Sequence, residues 1–327
     1  MAEPISSNLS PTMRRIFAVA ALSVCAGAAL LPATAQKQPE PQITVGVQLV
    51  LLEVTVKSKG GQVMDGLDKN DFIVREDGAE QRIANFSRDE LPLDVALVVD
   101  TSASIRPFFS QLQGATATAL RALKPDDSVS LFTFSSQVEQ RTALTKDRKA
   151  IGAQLEQLTM GGSTNINGAM AEAATALVRE SPDGRHVIIL VSDNVATDNG
   201  GIGPIDVTDR VVASGATVYS LKVPGENPLS DRVIAKTIKG LINIPKLVDL
   251  TGGEVFDVEK IGSLDAAFAA LIQRIKTRYT LGYYPGHANA NQLVHKVDVQ
   301  LAASFGKKGQ NYDVLTRSQY YAAPSAH

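Results

Sequence analysis

Residues 94–99 (DVALVV) and 187–191 (VIILV) are nearly unbroken apolar runs, with no alternation of polar side chains. A strand without alternation has to be covered on both faces, as happens in a parallel sheet flanked by helices. The intervening stretches read as the covering layers. A helix is expected over about 108–123, with Leu112, Ala115, Ala119 and Ala122 on one face, and a strand over 128–134. An amphipathic helix over 146–158, capped by Thr145, and an alanine-rich helix over 167–180 follow. Beyond the second run come a helix near 207–213, a strand over 217–223, a short strand over 253–258 and a closing helix over 264–274. Strands alternating with helices predict an α/β domain over 93–275, built on a doubly wound, mostly parallel sheet of Rossmann-like kind.

The flanks have a different texture. Leu52, Val54 and Val56 alternate with Glu53, Thr55 and Lys57, the period-two pattern of a half-buried strand. Residues 72–76 read as a strand, Asp77-Gly78 as a hairpin turn and 82–86 as the returning strand. After the α/β stretch, 278–284, 295–301 and 312–316 again read as strands. This tail carries Tyr279, Tyr283, Tyr284, Tyr312, Tyr320 and Tyr321, six of the chain's seven tyrosines. Aromatics at strand spacing usually pack; a carbohydrate-stacking platform is the lesser alternative. Residues 44–92 and 276–323 are therefore expected to fold together as a β-sandwich-like module interrupted by the α/β domain.

At the N-terminus, Met13-Arg14-Arg15 precedes an apolar run over 16–31, then Pro32 and Ala33-Thr34-Ala35. A positive flank, a short apolar stretch and a small-x-small exit make a signal peptide over 1–35, from a start at Met1 or Met13, with a polar linker over 36–43. The expected setting is periplasmic or secreted, without a stable membrane span in the mature chain. Val24 before Cys25 argues against a lipid anchor, and a lone cysteine excludes a disulfide framework or a multi-cysteine zinc site. Lys and Arg number 32 against 34 Asp and Glu, so no basic excess is available for a nucleic-acid partner.

Three strand-end segments carry the chemistry. The first run ends in Asp100-Thr101-Ser102-Ala103-Ser104, and the second in Ser192-Asp193; Gly161-Gly162-Ser163-Thr164-Asn165 precedes the alanine-rich helix. In open α/β sheets ligands bind beyond the carboxyl ends of strands, so Asp100, Ser102, Ser104, Thr164 and Asp193 are expected at one sheet edge. All are hard oxygen donors, which suits Mg²⁺, Mn²⁺ or Ca²⁺ and disfavours Zn²⁺ or Cu²⁺. Three hydroxyls and two carboxylates leave an octahedral Mg²⁺ with a vacancy and an appetite for one more carboxylate. Helix capping by Ser102, Ser104 or Thr164 is the competing reading. Asp126-Asp127 reads as a polar turn, His186 as structural, and Asp198-Asn199-Gly200-Gly201 as a mobile loop near the site.

This pattern resembles the von Willebrand factor A domain and its metal-ion-dependent adhesion site. The matching motifs are Asp100-x-Ser102-x-Ser104, Thr164 in GGSTN and Asp193 in LVSDN. The flanks (LVLLEVTV, DFIVREDG, QRIANF, RYTLGYYP) resemble exported VWFA-related proteins of Acidobacteria. The resemblance implies that Ser102, Ser104 and Thr164 contact the ion, with Asp100 and Asp193 often acting through water. Asn194 stands where that family commonly has Gly.

The implied function is adhesion to a protein ligand presenting Asp or Glu, with Arg106, Asn165, Asn167 and Asn194 among the partner-choosing positions. Catalysis is not expected, for the chain has no G-x-S-x-G, Walker A or H-E-x-x-H motif. The alternative is an envelope scaffold whose β module binds glycan or protein and whose metal site serves stability.

Overall fold

The computed structural model describes residues 49–88, 91–225, 233, 239–261, 263–286, 292–302 and 312–322. The leader, Cys25, the 36–43 linker, His287 and His327 lie outside these residues. The chain divides into Met1–Gly46 and Val47–His327, and everything described below belongs to the second unit.

Four strands come first: β1 (Val50–Ser58), β2 (Phe72–Glu76), β3 (Ala79–Gln81) and β4 (Ile83–Arg88). The α/β stretch follows with β5 (Leu93–Asp100), a 3-10 turn over Ala103–Phe108, α1 (Phe109–Ala122), β6 (Ser128–Phe134), β7 (Val138–Thr145), α2 (Arg148–Glu156) and α3 (Ile166–Glu180). It continues with β8 (Arg185–Ser192), α4 (Pro204–Ala213), β9 (Thr217–Lys222), α5 (Ile244–Thr251), β10 (Val255–Asp257), α6 (Val258–Ile261) and α7 (Leu264–Lys276). The tail supplies β11 (Tyr279–Tyr283), β12 (Val294–Leu301), β13 (Tyr312–Leu315) and β14 (Gln319–Tyr321).

The central sheet has the order β10-β9-β8-β5-β6-β7, parallel throughout except for β7 at one edge. Burial explains its apolar strands. Val95, Leu97 and Val99 of β5 join a core with α1 and α7, while Ala96 and Val98 join another with α3, α4 and α5. Both faces of the strand are dry, so both residue sets must be apolar. Truncating such a side chain, for instance Leu190→Ala, costs about 2–5 kcal/mol.

From β5 the chain moves out to β6 and β7, then returns to lay β8 on the other side of β5. The order of strands therefore reverses between β5 and β8, and their carboxyl ends open a crevice there. Val99 lies level with Val191, which brings Asp100 and Ser192 to the same edge.

The flanking segments make two antiparallel sheets, β13-β1-β11-β4 and β14-β12-β2-β3. Leu52, Val54 and Val56 from one meet Phe72, Val74, Val297 and Val299 from the other in a shared apolar core, a β-sandwich.

Some elements differ from expectation. The strand that returns along β2 is β3, earlier than the expected 82–86, and pairs for three residues; the expected range falls in β4, which pairs with β11 in the opposite sheet. The turn at Asp77-Gly78 is as expected, with φ of +48° and +87°. The helix expected from 108 starts at Phe109 after a 3-10 turn containing Pro107. Asp147, and not Thr145, caps α2, accepting hydrogen bonds from Lys149 N–H and Ala150 N–H.

At the amino end of the central sheet the two layers of structure share charged groups. Glu53 of β1 bonds Arg185 at the start of β8 and Arg278 just before β11; Arg278 also meets the Tyr219 hydroxyl. Glu254 pairs with Lys57 at 2.5 Å and Arg274 at 2.6 Å.

Candidate metal centre at the carboxyl edge of the sheet

Asp100 ends β5 fully buried. One carboxylate oxygen, Oδ1, accepts the Ser102 N–H at 2.8 Å, and Oδ2 accepts the Ser192 hydroxyl at 2.7 Å. Ser192 in turn receives the Asn194 N–H at 3.1 Å, and its oxygen lies 3.5 Å from Asp193 Oδ1. Asp193 Oδ1 accepts the Val195 N–H at 2.9 Å. The hydroxyls of Ser102 and Ser104 stand 3.1 Å apart. Asp100, Ser102, Ser104, Ser192 and Asp193 thus form one hydrogen-bonded chain, through hydroxyls and the Ser102 N–H, across the ends of two neighbouring parallel strands.

The third loop joins through its backbone. Gly161 N–H donates to Thr101 O at 2.8 Å, and Asn165 N–H to Ser135 O at 3.0 Å. Thr164 O accepts the N–H groups of Thr197 and Asp198 at 3.0 and 3.2 Å, and Thr164 N–H donates to the Thr197 hydroxyl at 2.9 Å. Gly162 adopts φ +89°, and a Cβ there would lie 2.6 Å from Ser136 Oγ, so the loop needs glycine at that point. Thr164 is buried against the loop after β8.

Helix capping does not account for these side chains. Ser102 occupies the cap position of the 3-10 turn without making a side-chain cap bond, and Phe108 precedes α1. The cap of α3 is Asn165, accepting from Gly168 N–H at 2.8 Å, so Thr164 is not used for it.

Electrostatics set the site apart. Burial pushes the Asp100 carboxyl up to about 7; hydrogen bonds from Ser102 and Ser192 oppose the rise, and the neighbouring Asp193 charge adds to it. None of these leading influences comes from a cationic side chain. Two adjacent carboxylates dried out among hydroxyls and amides offer a hard divalent cation an all-oxygen donor set.

The expected partner-facing residues divide. Arg106 is exposed on the 3-10 turn beside the site. Asn165 is spent on its cap, and Asn167 is fully buried. The Asn167 amide donates to Ile202 O and Gly240 O at 2.8 and 2.9 Å and accepts Ile242 N–H at 3.0 Å. Asn167 therefore shapes the surrounding loops from inside, a correction to its expected place on the binding surface. Asn194 sits at φ +64°, the left-handed region that suits Gly and that Asn tolerates. Its amide exchanges hydrogen bonds with Ser220 Oγ at 2.8 and 3.0 Å.

Sequence reasoning missed Ser192 as a site residue, although a serine closing an otherwise apolar strand was a visible signal. Thr197 and Ser136 were also missed; Ser136 Oγ accepts both the N–H and the hydroxyl of Ser163, at 3.0 and 3.1 Å. The loop over 198–201 is made of two side-chain turns, Asp198 accepting from Gly200 N–H and Asn199 from Gly201 N–H. Elsewhere, Asp127 pins its turn to β5 by accepting Leu93 N–H at 2.9 Å and Lys124 N–H at 2.7 Å. His186 lies between Ser181 O and Ser214 O, at 2.7 Å from each.

The family profile of the von Willebrand factor type A domain matches residues 95–196. Among curated proteins none matches the chain. Solved structures similar to it include the vWF domain of the type V pili tip protein Mfa5 from Porphyromonas gingivalis, at 21% identity and TM-score 0.31, covering 32% of this chain and 39% of that one. Another is the conserved hypothetical protein BatB from Bacteroides thetaiotaomicron, at 18% identity and TM-score 0.32, covering 39% of this chain and 65% of that one. A third is the pilus adhesin SpaC from Lactobacillus rhamnosus GG, at 13% identity and TM-score 0.41, covering 76% and 42%. The matches thus span less than two thirds of each of these three chains. Residues 95–196, the stretch that matches the von Willebrand factor type A domain profile, hold Asp100, Ser102, Ser104, Thr164 and Asp193.

Proposed function

We propose that this protein is an exported, non-catalytic adhesion module that grips an acidic side chain of a partner protein through a divalent cation, with Mg²⁺ favoured over Mn²⁺ or Ca²⁺. The observation that carries the reading is the buried Asp100 carboxylate joined to Asp193 across Ser192, with the Ser102 and Ser104 hydroxyls beside it, a convergent set of oxygen donors at one sheet edge. Ser102, Ser104 and Thr164 would hold the ion directly, and Asp100 and Asp193 would hold it directly or through water. When bound, such an ion supplies an electrophilic position that a ligand carboxylate can complete.

The chain's own residues do the rest. Ser192 orients Asp100 by donating its proton to Oδ2, and the Ser102 N–H fixes Oδ1. The bonds of Thr164 with Thr197 and Asp198 hold the third loop against the loop after β8, and Gly161 N–H ties it to Thr101 O at the end of β5. Exposed Arg106 is placed to attract an acidic partner. Export rests on the leader motif, and among the described residues no helix is long and apolar enough to cross a membrane.

The competing scaffold reading drew on the tyrosines, and packing accounts for several of them. Tyr279 and Tyr283 are buried in the sandwich core, Tyr312 and Tyr320 pack against it, and Tyr321 bonds Asp209.

The test is retention of envelope proteins on the immobilised chain, with Mg²⁺ and with EDTA, alongside Asp100→Ala. We expect binding that EDTA and the substitution both abolish while circular dichroism is unchanged. Equal retention in all three conditions would overturn the reading.

A further inference from the structure

The sandwich holds a second group of metal-capable side chains, chemically unlike the first. Glu76 ends β2, Asp77 opens the turn that follows, and His295 lies on β12 alongside that turn. Pairing of the two segments places them together: Asp77 N–H donates to Lys296 O at 2.9 Å, and Lys296 N–H donates to Asp77 Oδ1 at 2.9 Å. His295 Nδ1 then faces Asp77 Oδ2 at 2.9 Å and Glu76 Oε1 at 3.3 Å. The three atoms lie within 4.8 Å of one another.

Two features suggest more than a surface ion pair. Glu76 and His295 are 5% and 6% exposed, so a carboxylate and an imidazole have both been dried out. Tyr320 of β14 supports both, stacking on the imidazole with centroids 5.2 Å apart and donating its hydroxyl to Glu76 Oε2 at 3.2 Å. Hydrogen bonds to the back of a ligating carboxylate and a fixed imidazole plane are what orient ligands around a metal.

A single ring nitrogen faces two carboxylates here. One N–H proton is shared poorly between two acceptors, whereas a metal ion can accept a donor atom from all three residues. We propose that Glu76, Asp77 and His295 form a binding site for a borderline transition metal of the Zn²⁺ class, three protein ligands with the remaining position open to water. The imidazole distinguishes it from the all-oxygen set at Asp100 and selects against Mg²⁺. A metal there fastens the β2–β3 turn to β12, its neighbour in the same sheet. This inference is independent of the adhesion reading.

The test uses the full metal-stripped chain, titrated with Zn²⁺ alone by calorimetry and by metal analysis after dialysis. The wild-type chain and Asp100→Ala should both retain Zn²⁺, and His295→Gln should bind it about tenfold or more weakly. Co²⁺ added to the unaltered chain should shift the ring signals of His295, which keeps the test decisive if the variant fails to fold. Absence of Zn²⁺ uptake, uptake unchanged in His295→Gln, loss of uptake in Asp100→Ala, or a His295 ring untouched by Co²⁺ would each overturn the assignment.

Discussion

Glu53 and Asp100 are carboxylates withdrawn from water at opposite ends of the same parallel sheet, and their surroundings treat them in opposite ways. Burial would raise Glu53, but the guanidiniums of Arg278 and Arg185 outweigh it and hold the carboxyl below its ordinary value. Burial raises Asp100 too, and there hydroxyls and amides only partly oppose it while Asp193 reinforces it, leaving the group at about 7. The first cluster brings its own positive charge and is complete as built. In the second, oxygen donors converge at a strand end, and no cationic side chain is among the leading influences on Asp100. A buried carboxylate matched by arginines joins parts of a fold; one raised by burial among serine hydroxyls at a strand end is a candidate place for a cation from solution.

Arg278→Ala attacks the first cluster and should have the largest effect. It leaves Glu53 shielded from water with less than its full complement of cations, and the loss should be about 3–5 kcal/mol in a urea melt. A loss below about 1 kcal/mol, typical of solvated surface pairs, would erase the contrast between the two clusters.

The pH dependence of the metal-free chain should separate them by sign. Asp100 keeps its proton in the folded state up to about 7, against 3.8 for the free group. Its contribution therefore falls as pH rises between those values and is level above them, an upper limit of about 4 kcal/mol. Asp100→Asn should remove that fall. Glu53 acts in the other direction: its contribution is present above 4.5 and is lost as pH drops through its lowered folded value. Urea melts across both windows check the two signs, and a metal-free chain whose stability does not depend on Asp100 between pH 4 and 7 would sink the electrostatic contrast.

Asn194→Gly should sharpen the account most gently. Glycine accepts the positive φ freely but forfeits the exchange with Ser220, so we expect a net loss of about 1 kcal/mol or less with the metal ligands untouched. A large drop in Mg²⁺ affinity would instead show that the Asn194–Ser220 contact positions Asp193.

Much of this arrangement was legible in the residues. Strands β5 and β8 announced themselves because both faces are dry, and strand-end Asp and Ser lie next to the runs that expose them. The edge strand β7 did not: it is polar, its register against β6 shifts twice, and no second face demands apolar residues. The sheet switch after β3 was hidden because 79–88 is continuous in sequence while its partners, β2 and β11, are far apart. Short α5 was missed with Pro245 in its first turn and Asn243 as its cap. Asn167 looked like a surface residue because it neighbours the motif, yet it lies on the inward side of α3, where only the fold reveals its three partners. The Glu76–His295 cluster depends on cross-strand register, which no local pattern encodes.

The most direct test is a Mg²⁺ titration of the metal-stripped full chain above pH 7, where Asp100 is ionised, run beside Asp100→Asn. The account predicts that the unaltered chain takes up the ion and melts at higher temperature, while the variant keeps the same circular dichroism and does neither. Equal uptake by both chains, or none by the unaltered one, would contradict it.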